Sequence, residues 1–191
     1  MKTIPARDAE PSPRPRPRPP QRAAALLVAL AALFCAAAPA PAPAADPDGA
    51  PLLELSTFPR MPLTIHSATR PDGHVFRVWI ADTPERQSQG LMFVRDLPAD
   101  EGMLFVDAQS RVWGMWMKNT FIPLDMLFID ARGRIVSVAE RTVPHSLQTV
   151  SHPRPVKAVL ELRGGEAARR GIRVGDRVEH PAFRGRGPAP R

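Results

Sequence analysis

The stretch Trp113–Asp130, WGMWMKNTFIPLDMLFID, sets two apolar runs on either side of a short polar hinge. Met115, Trp116 and Met117 abut Lys118, Asn119 and Thr120, and Asp125 then lies inside the second run. Apolar runs this short read as buried strands. A Lys and an Asp rarely enter such strands without a partner or a ligand. The stretch therefore predicts strands at Val112–Met117 and Leu124–Asp130, with the chain turning around Pro123 between them. It also places a polar group where two strands meet.

Working outward, the same logic supplies the rest of the domain. Downstream, Ala131-Arg132-Gly133 is a tight loop, with the glycine at a left-handed position, and it leads into a strand at Ile135–Glu140. Val156–Leu162 is the clearest strand, with Val156, Ala158, Leu160 and Leu162 on one face and Lys157, Val159 and Glu161 on the other. Gly164-Gly165 ends it as an ordinary strand-to-helix turn. A helix at Glu166–Arg170 follows, capped by Gly171, and Val178 sits in a last short strand. Upstream, Gly102–Val106 is a strand. Thr83-Pro84 opens a helix running to about Met92, as N-cap and first helical residue. Val75–Ala81 alternates Phe76, Val78 and Ile80 on its apolar face, Pro71-Asp72-Gly73 reads as a turn, and Leu63–Ser67 as the first strand. The fold class is mainly β with two short helices (α+β), a small barrel-like or two-sheet single domain.

Composition places this domain within the chain. Residues 1–22 are basic and proline-rich, Ala23–Ala38 carries no charge, and Ala42-Pro43-Ala44 is an A-x-A site. Together they read as a signal peptide over residues 1–45. A linker over 46–62, the β-rich domain over 63–180 and a disordered tail over 181–191 complete the division. The expected location is periplasmic or secreted, with anchoring to the inner membrane by residues 23–38 as the alternative. The only cysteine, Cys35, falls in the leader, so a cleaved chain would be cysteine-free. Such a chain could use neither a disulfide nor a thiolate. The formal charge of +7 belongs to the ends: residues 46–183 hold seventeen Lys/Arg against seventeen Asp/Glu. No basic face for nucleic acid is implied.

Five segments, in order, carry a family resemblance: RQSQGLMFVRDL (Arg86–Leu97), EGMLFVD (Glu101–Asp107), WMKNTFIPLDMLFID (Trp116–Asp130), GRIVSVAE (Gly133–Glu140) and VLELRGGEAARRGIRVGDRV (Val159–Val178). They resemble the family catalogued as domain of unknown function 192, across roughly Leu63–Val178. The resemblance implies a small β-rich domain, often exported, and no activity. It singles out Arg86, Gly90, Met92, Arg95, Gly102, Met103, Trp116, Met117, Lys118, Asn119, Thr120, Pro123, Asp125, Glu161, Gly175 and Asp176 as positions matching its signature. Near His145-Ser146 the chain departs from the family's usual pair.

The candidate chemistry centres on the same residues. Lys118, Asn119 and Asp125 form either a polar pocket for an anionic or carbonyl ligand or a structural turn closed by a Lys118–Asp125 pair. Arg86 and Arg95, with Lys118, are candidates to bind a carboxylate or phosphate beside Asp125 and Glu161. Asp125 and Glu161 are also the candidate carboxylate pair of a hydrolase, which needs them about 5–10 Å apart. Met92, Met103, Met115, Met117 and Met126 stand in apolar runs and read as core rather than as copper ligands. The histidines show no metal-binding spacing, no G-x-S-x-G elbow occurs, and no cofactor motif is present, so no metal or cofactor is expected. The functional expectation is a binding or accessory module of the cell envelope, its partner a small ligand or envelope component. The alternative is an envelope hydrolase using Asp125 and Glu161.

Overall fold

The computed structural model describes residues 51–184. The leader read at 1–45, the start of the linker and the tail from residue 185 lie outside the described residues. Among the described residues are nine strands: β1 (Arg60–Ser67), β2 (Arg70–Ala81), β3 (Glu101–Arg111), β4 (Gly114–Met115), β5 (Leu124–Ile129), β6 (Ile135–Ala139), β7 (Val150–Ser151), β8 (Val156–Arg163) and β9 (Arg177–Glu179). The helices α1 (Pro84–Gln89) and α2 (Glu166–Arg170) are short, and single 3-10 turns lie at Leu55–Thr57 and Pro181–Phe183. None of these helices is long and apolar enough to cross a membrane.

Seven strands form one curled sheet in the order β6-β5-β8-β3-β2-β1-β9, and β4 pairs with β7 in a separate ribbon. Every neighbouring pair in the large sheet is antiparallel except β2 and β3. A parallel pair needs a crossover, and residues 82–100 provide it, carrying α1. The sheet curls until its edges touch: Val178 N–H donates to the Gly133 carbonyl at 2.7 Å, Ile135 N–H to that of Asp176 at 3.0 Å, and Arg134 pairs with Arg177. The result is a half-barrel with a seam between β6 and β9.

Alternation along the strands builds two cores. Leu63, Ile65, Val78, Leu104, Leu127, Leu160 and Val178 fill the inside of the curl, with Ala167 and Ile172 from the α2 region. The outer face of the same strands carries Met103, Phe105, Met126, Phe128 and Val159, covered by Leu91, Leu97, Trp113, Met115 and Met117 from the connecting segments. Met103, Met117 and Met126 are buried as read.

Several boundaries shift, each for a local reason. The linker reading ends too late. Phe58 is buried against the outer core, and β1 already begins at Arg60. Pro71-Asp72-Gly73 makes no turn; it lies within β2, and the reversal falls at Ala68-Thr69. Gly73 instead marks an irregularity of the β1–β2 ladder: at φ +88° a Cβ there would stand 2.3 Å from Thr64 Cγ2. The strand read at Val112–Met117 shrinks to β4, because Met117 N–H bonds the Ser146 carbonyl rather than a strand partner. The tail read from 181 begins with an ordered turn, Pro181–Phe183.

Helix α1 stops at Gln89, short of Met92. Gly90, at φ +53°, returns its N–H to the Arg86 carbonyl, and a Cβ on it would meet the Phe105 ring at 3.0 Å. At the other end Thr83 caps as read, its side chain accepting from Arg86 N–H. Thr83→Ala is expected to cost about 1 kcal/mol, readable as a small fall in urea midpoint with the slope unchanged.

Candidate functional site

Glu161 is the unusual acid of the domain. On β8 it stands opposite Met103 of β3 and Met126 of β5, so its near neighbours are thioether side chains. The face of β8 that carries Val159 and Glu161 belongs to the outer core, covered by the crossover and by the segment around β4. Glu161 is 3% exposed. Burial pushes its carboxyl up to about 8, with no offsetting charge among the described residues. At neutral pH it therefore carries its proton.

The carboxyl lines a cavity of about 50 Å³ that it shares with Gly90, Met92, Met115, Trp116, Lys118 and Thr120. The walls come from distant parts of the chain, and a strained clamp joins them. Phe93 and Asn119 both adopt left-handed backbone, at φ +65° and +55°. Asn tolerates that conformation, whereas for Phe it is costly. Phe93 N–H donates to the Asn119 carbonyl at 2.8 Å, and the Asn119 amide reaches Met92 Sδ at 3.9 Å. The crossover and the Lys118–Thr120 turn are thereby held edge to edge. Thr120 is fixed within its own turn by donating its N–H to Met117 and accepting from His145 N–H. Lys118 places its ammonium 5.6 Å from the centre of the Trp116 ring, which is 48% exposed. Glu161, Lys118 and the exposed Trp116 thus line one small cavity.

The other residues singled out from sequence divide plainly. Asp125 is engaged by backbone amides. It is fully buried, and its carboxylate accepts three backbone N–H groups, from Arg141 at 2.8 Å, Gly165 at 2.9 Å and Ala167 at 2.9 Å. It ties β5 to the start of α2 and takes up the Gly165 amide, while the Gly164 N–H donates to the Pro123 carbonyl. Register puts Asp125 opposite Leu162 and Met126 opposite Glu161, so the two carboxylates project from opposite faces of the sheet. Arg86 is held by Asp82 at 2.6 Å and Arg95 lies over the Phe121 ring at 4.6 Å. Neither lines the cavity. The crossover meets the Lys118 turn through the Phe93–Asn119 backbone contact, and Arg95 stacks on Phe121 just after it. Met92 and Met115, read only as core, supply cavity wall. The sequence signal for them was their place beside Gly90 and Trp116.

A search of curated proteins gives no match. Among solved structures, a Sinorhizobium meliloti 1021 protein provisionally described as a transcription regulator is 39% identical, with a TM-score of 0.63, covering 65% of this chain and 96% of its own. A protein of unknown function from Novosphingobium aromaticivorans DSM 12444 is 37% identical, also with a TM-score of 0.63, covering 73% of this chain and 93% of its own. The family model of DUF192, described as "Uncharacterized ACR", matches residues 66–180, a span that includes both Lys118 and Glu161 and most of the curled sheet, and the chain belongs to that family.

Proposed function

We propose that this chain is an exported binding or accessory module of the cell envelope, and that the cavity at Glu161 receives the carboxylate or carbonyl end of a small ligand. The observation that carries the reading is the lone buried acid lining a cavity. Burying a carboxyl without a partner costs stability, so folding gains nothing from it, and acids perturbed in this way concentrate at functional sites. The protonated carboxyl is a hydrogen-bond donor suited to an oxygen acceptor. Lys118 adds positive charge, and the cavity's size admits one functional group, leaving the body of the ligand against Trp116. The regulator description of the Sinorhizobium structure is not carried over: residues 46–183 balance seventeen basic against seventeen acidic side chains, which is no footprint for a phosphate backbone.

Acetate titration followed by NMR tests the pocket. Binding should hold below neutrality and fall away as pH rises through about 8, where Glu161 ionises and repels an anion. Glu161→Gln should bind without that pH dependence, and Lys118→Met should bind weakly at every pH. Acetate binding that ignores pH and both substitutions would defeat the reading. Export rests on the leader composition. N-terminal sequencing of periplasmic protein should start close to Ala44 or Ala45, whereas an intact leader in the membrane fraction would replace export by anchoring.

The raised carboxyl also suits a proton donor in catalysis, which keeps the envelope hydrolase as a second reading. Asp125 cannot complete a carboxylate pair from the opposite face of the sheet, so such an enzyme would rely on Glu161 with Lys118. Hydrolysis of an envelope saccharide, lost in Glu161→Gln, would favour that reading over simple binding.

A further inference from the structure

We propose that the seam between β6 and β9 carries a second site, for a phosphate-type oxyanion, independent of the Glu161 cavity. A concavity of about 320 Å³ opens there, lined by His66, Arg132, Arg177, Glu179, His180 and Arg184. Its chemistry is unbalanced in one direction. Three guanidinium groups face a single carboxylate, and that carboxylate is already engaged: Glu179 meets His66 Nε2 at 3.1 Å and Arg184 at 3.5 Å. The guanidinium groups of Arg132 and Arg177 have no acceptor among the described residues.

His180 supplies the observation that points to a ligand. The residue is 4% exposed, and Ala182 N–H donates to its Nδ1 at 3.2 Å. That bond fixes the neutral tautomer, with the proton on Nε2. Nε2 is buried and has no partner among the described residues. Burial and the nearby Arg184 both disfavour a second proton on the ring, so Nε2–H remains a neutral donor. A buried donor without an acceptor is costly, and here its residue lines a concavity whose other polar groups are mostly donors.

The position gives the site a mechanical meaning. Arg132 belongs to the loop between β5 and β6, and Arg177 to β9, on the two sides of the seam closed by the Val178–Gly133 bond. A tetrahedral oxyanion has enough oxygens to accept from both arginines and from His180 at once. It would cross-link the edges of the half-barrel. Binding to the folded state alone would then raise the melting temperature with ligand concentration.

The test titrates inorganic phosphate into the full chain at constant ionic strength, reading the His180 ring resonances by NMR and the melting temperature. Saturable shifts of His180 with a parallel rise in melting temperature are expected. Arg132→Ala and Arg177→Ala, both at exposed side chains, should each weaken binding by about tenfold or more, and Glu179→Gln should tighten it. Shifts that do not saturate, or that persist unchanged in both arginine variants, overturn the proposal. A second arm uses phosphatidylglycerol vesicles against phosphatidylcholine vesicles. Phosphate-competed binding to the former identifies a lipid headgroup as the source of the anion, and phosphate binding without vesicle binding identifies a free phosphate.

Discussion

Glu161→Gln is expected to make the domain more stable at neutral and alkaline pH and to flatten its stability against pH. The carboxyl titrates at about 8 in the folded chain against 4.5 when free. Between those values the native state holds a proton that the unfolded chain has released. Stability therefore falls as pH rises through that window, and the loss is complete above the folded value. At 1.36 kcal/mol per unit, the gap amounts to roughly 4–5 kcal/mol by pH 9. Glutamine keeps the shape and cannot ionise, so the variant should lose the slope and gain roughly 3 kcal/mol at pH 7. Urea denaturation from pH 5 to pH 9 measures both quantities, and parallel curves for the two proteins would show that Glu161 is solvated after all. The direction matters for function as well, since a residue whose replacement stabilises the fold is retained for another reason.

Asp125→Ala should do the opposite. The buried carboxylate satisfies the backbone N–H groups of Arg141, Gly165 and Ala167, the last two in buried residues. Removing it strands three donors and releases the start of α2, at an expected cost of roughly 3–5 kcal/mol. Asp125→Asn should fall between, because its one carbonyl oxygen can still accept from the glycine turn. Binding at the Glu161 cavity should survive in both variants under conditions where they remain folded. A loss below about 1 kcal/mol for the alanine variant would mean that the loop around Gly165 relaxes to find other acceptors.

The particular residues explain what could be read in advance. Val156–Leu162 was legible because its alternation has one solution, and the structure keeps both faces. Even so, the meaning of the second face was hidden. Lys157 and Glu161 look solvated by composition, and only the folding of the crossover over β8 turns the Glu161 end into interior. Pro71-Asp72-Gly73 misled for a related reason. Its residue types suit a turn, but pairing with β1 across residues 60–67 extends the strand through it and leaves the glycine to absorb a close approach by Thr64. The Lys118 turn and the segment after α1 were both evident as signatures, yet the shorter contact between them joins the backbones of Phe93 and Asn119, which side-chain chemistry does not announce. Asp125 was recognised as a buried acid. Its partners were not, because amide groups from residues 141, 165 and 167 leave no mark in the sequence.

The order of strands in the sheet also dictates when the domain can finish folding. β1, the first of the described strands to be made, is flanked on one side by β9, the last of them, through Thr64–Glu179, Ile65–Val178 and His66–Arg177. β3 and β5 likewise wait for β8 between them. Few of the sheet's pairings are local, and chains of that kind fold slowly because loop closure precedes any reward. During synthesis the nascent chain can form the β1–β2 and β5–β6 hairpins, but the inner core stays open until the final strand is free. Such a polypeptide stays extended for longer than a helical bundle of the same length, and its unpaired strand edges are open to aggregation in the meantime.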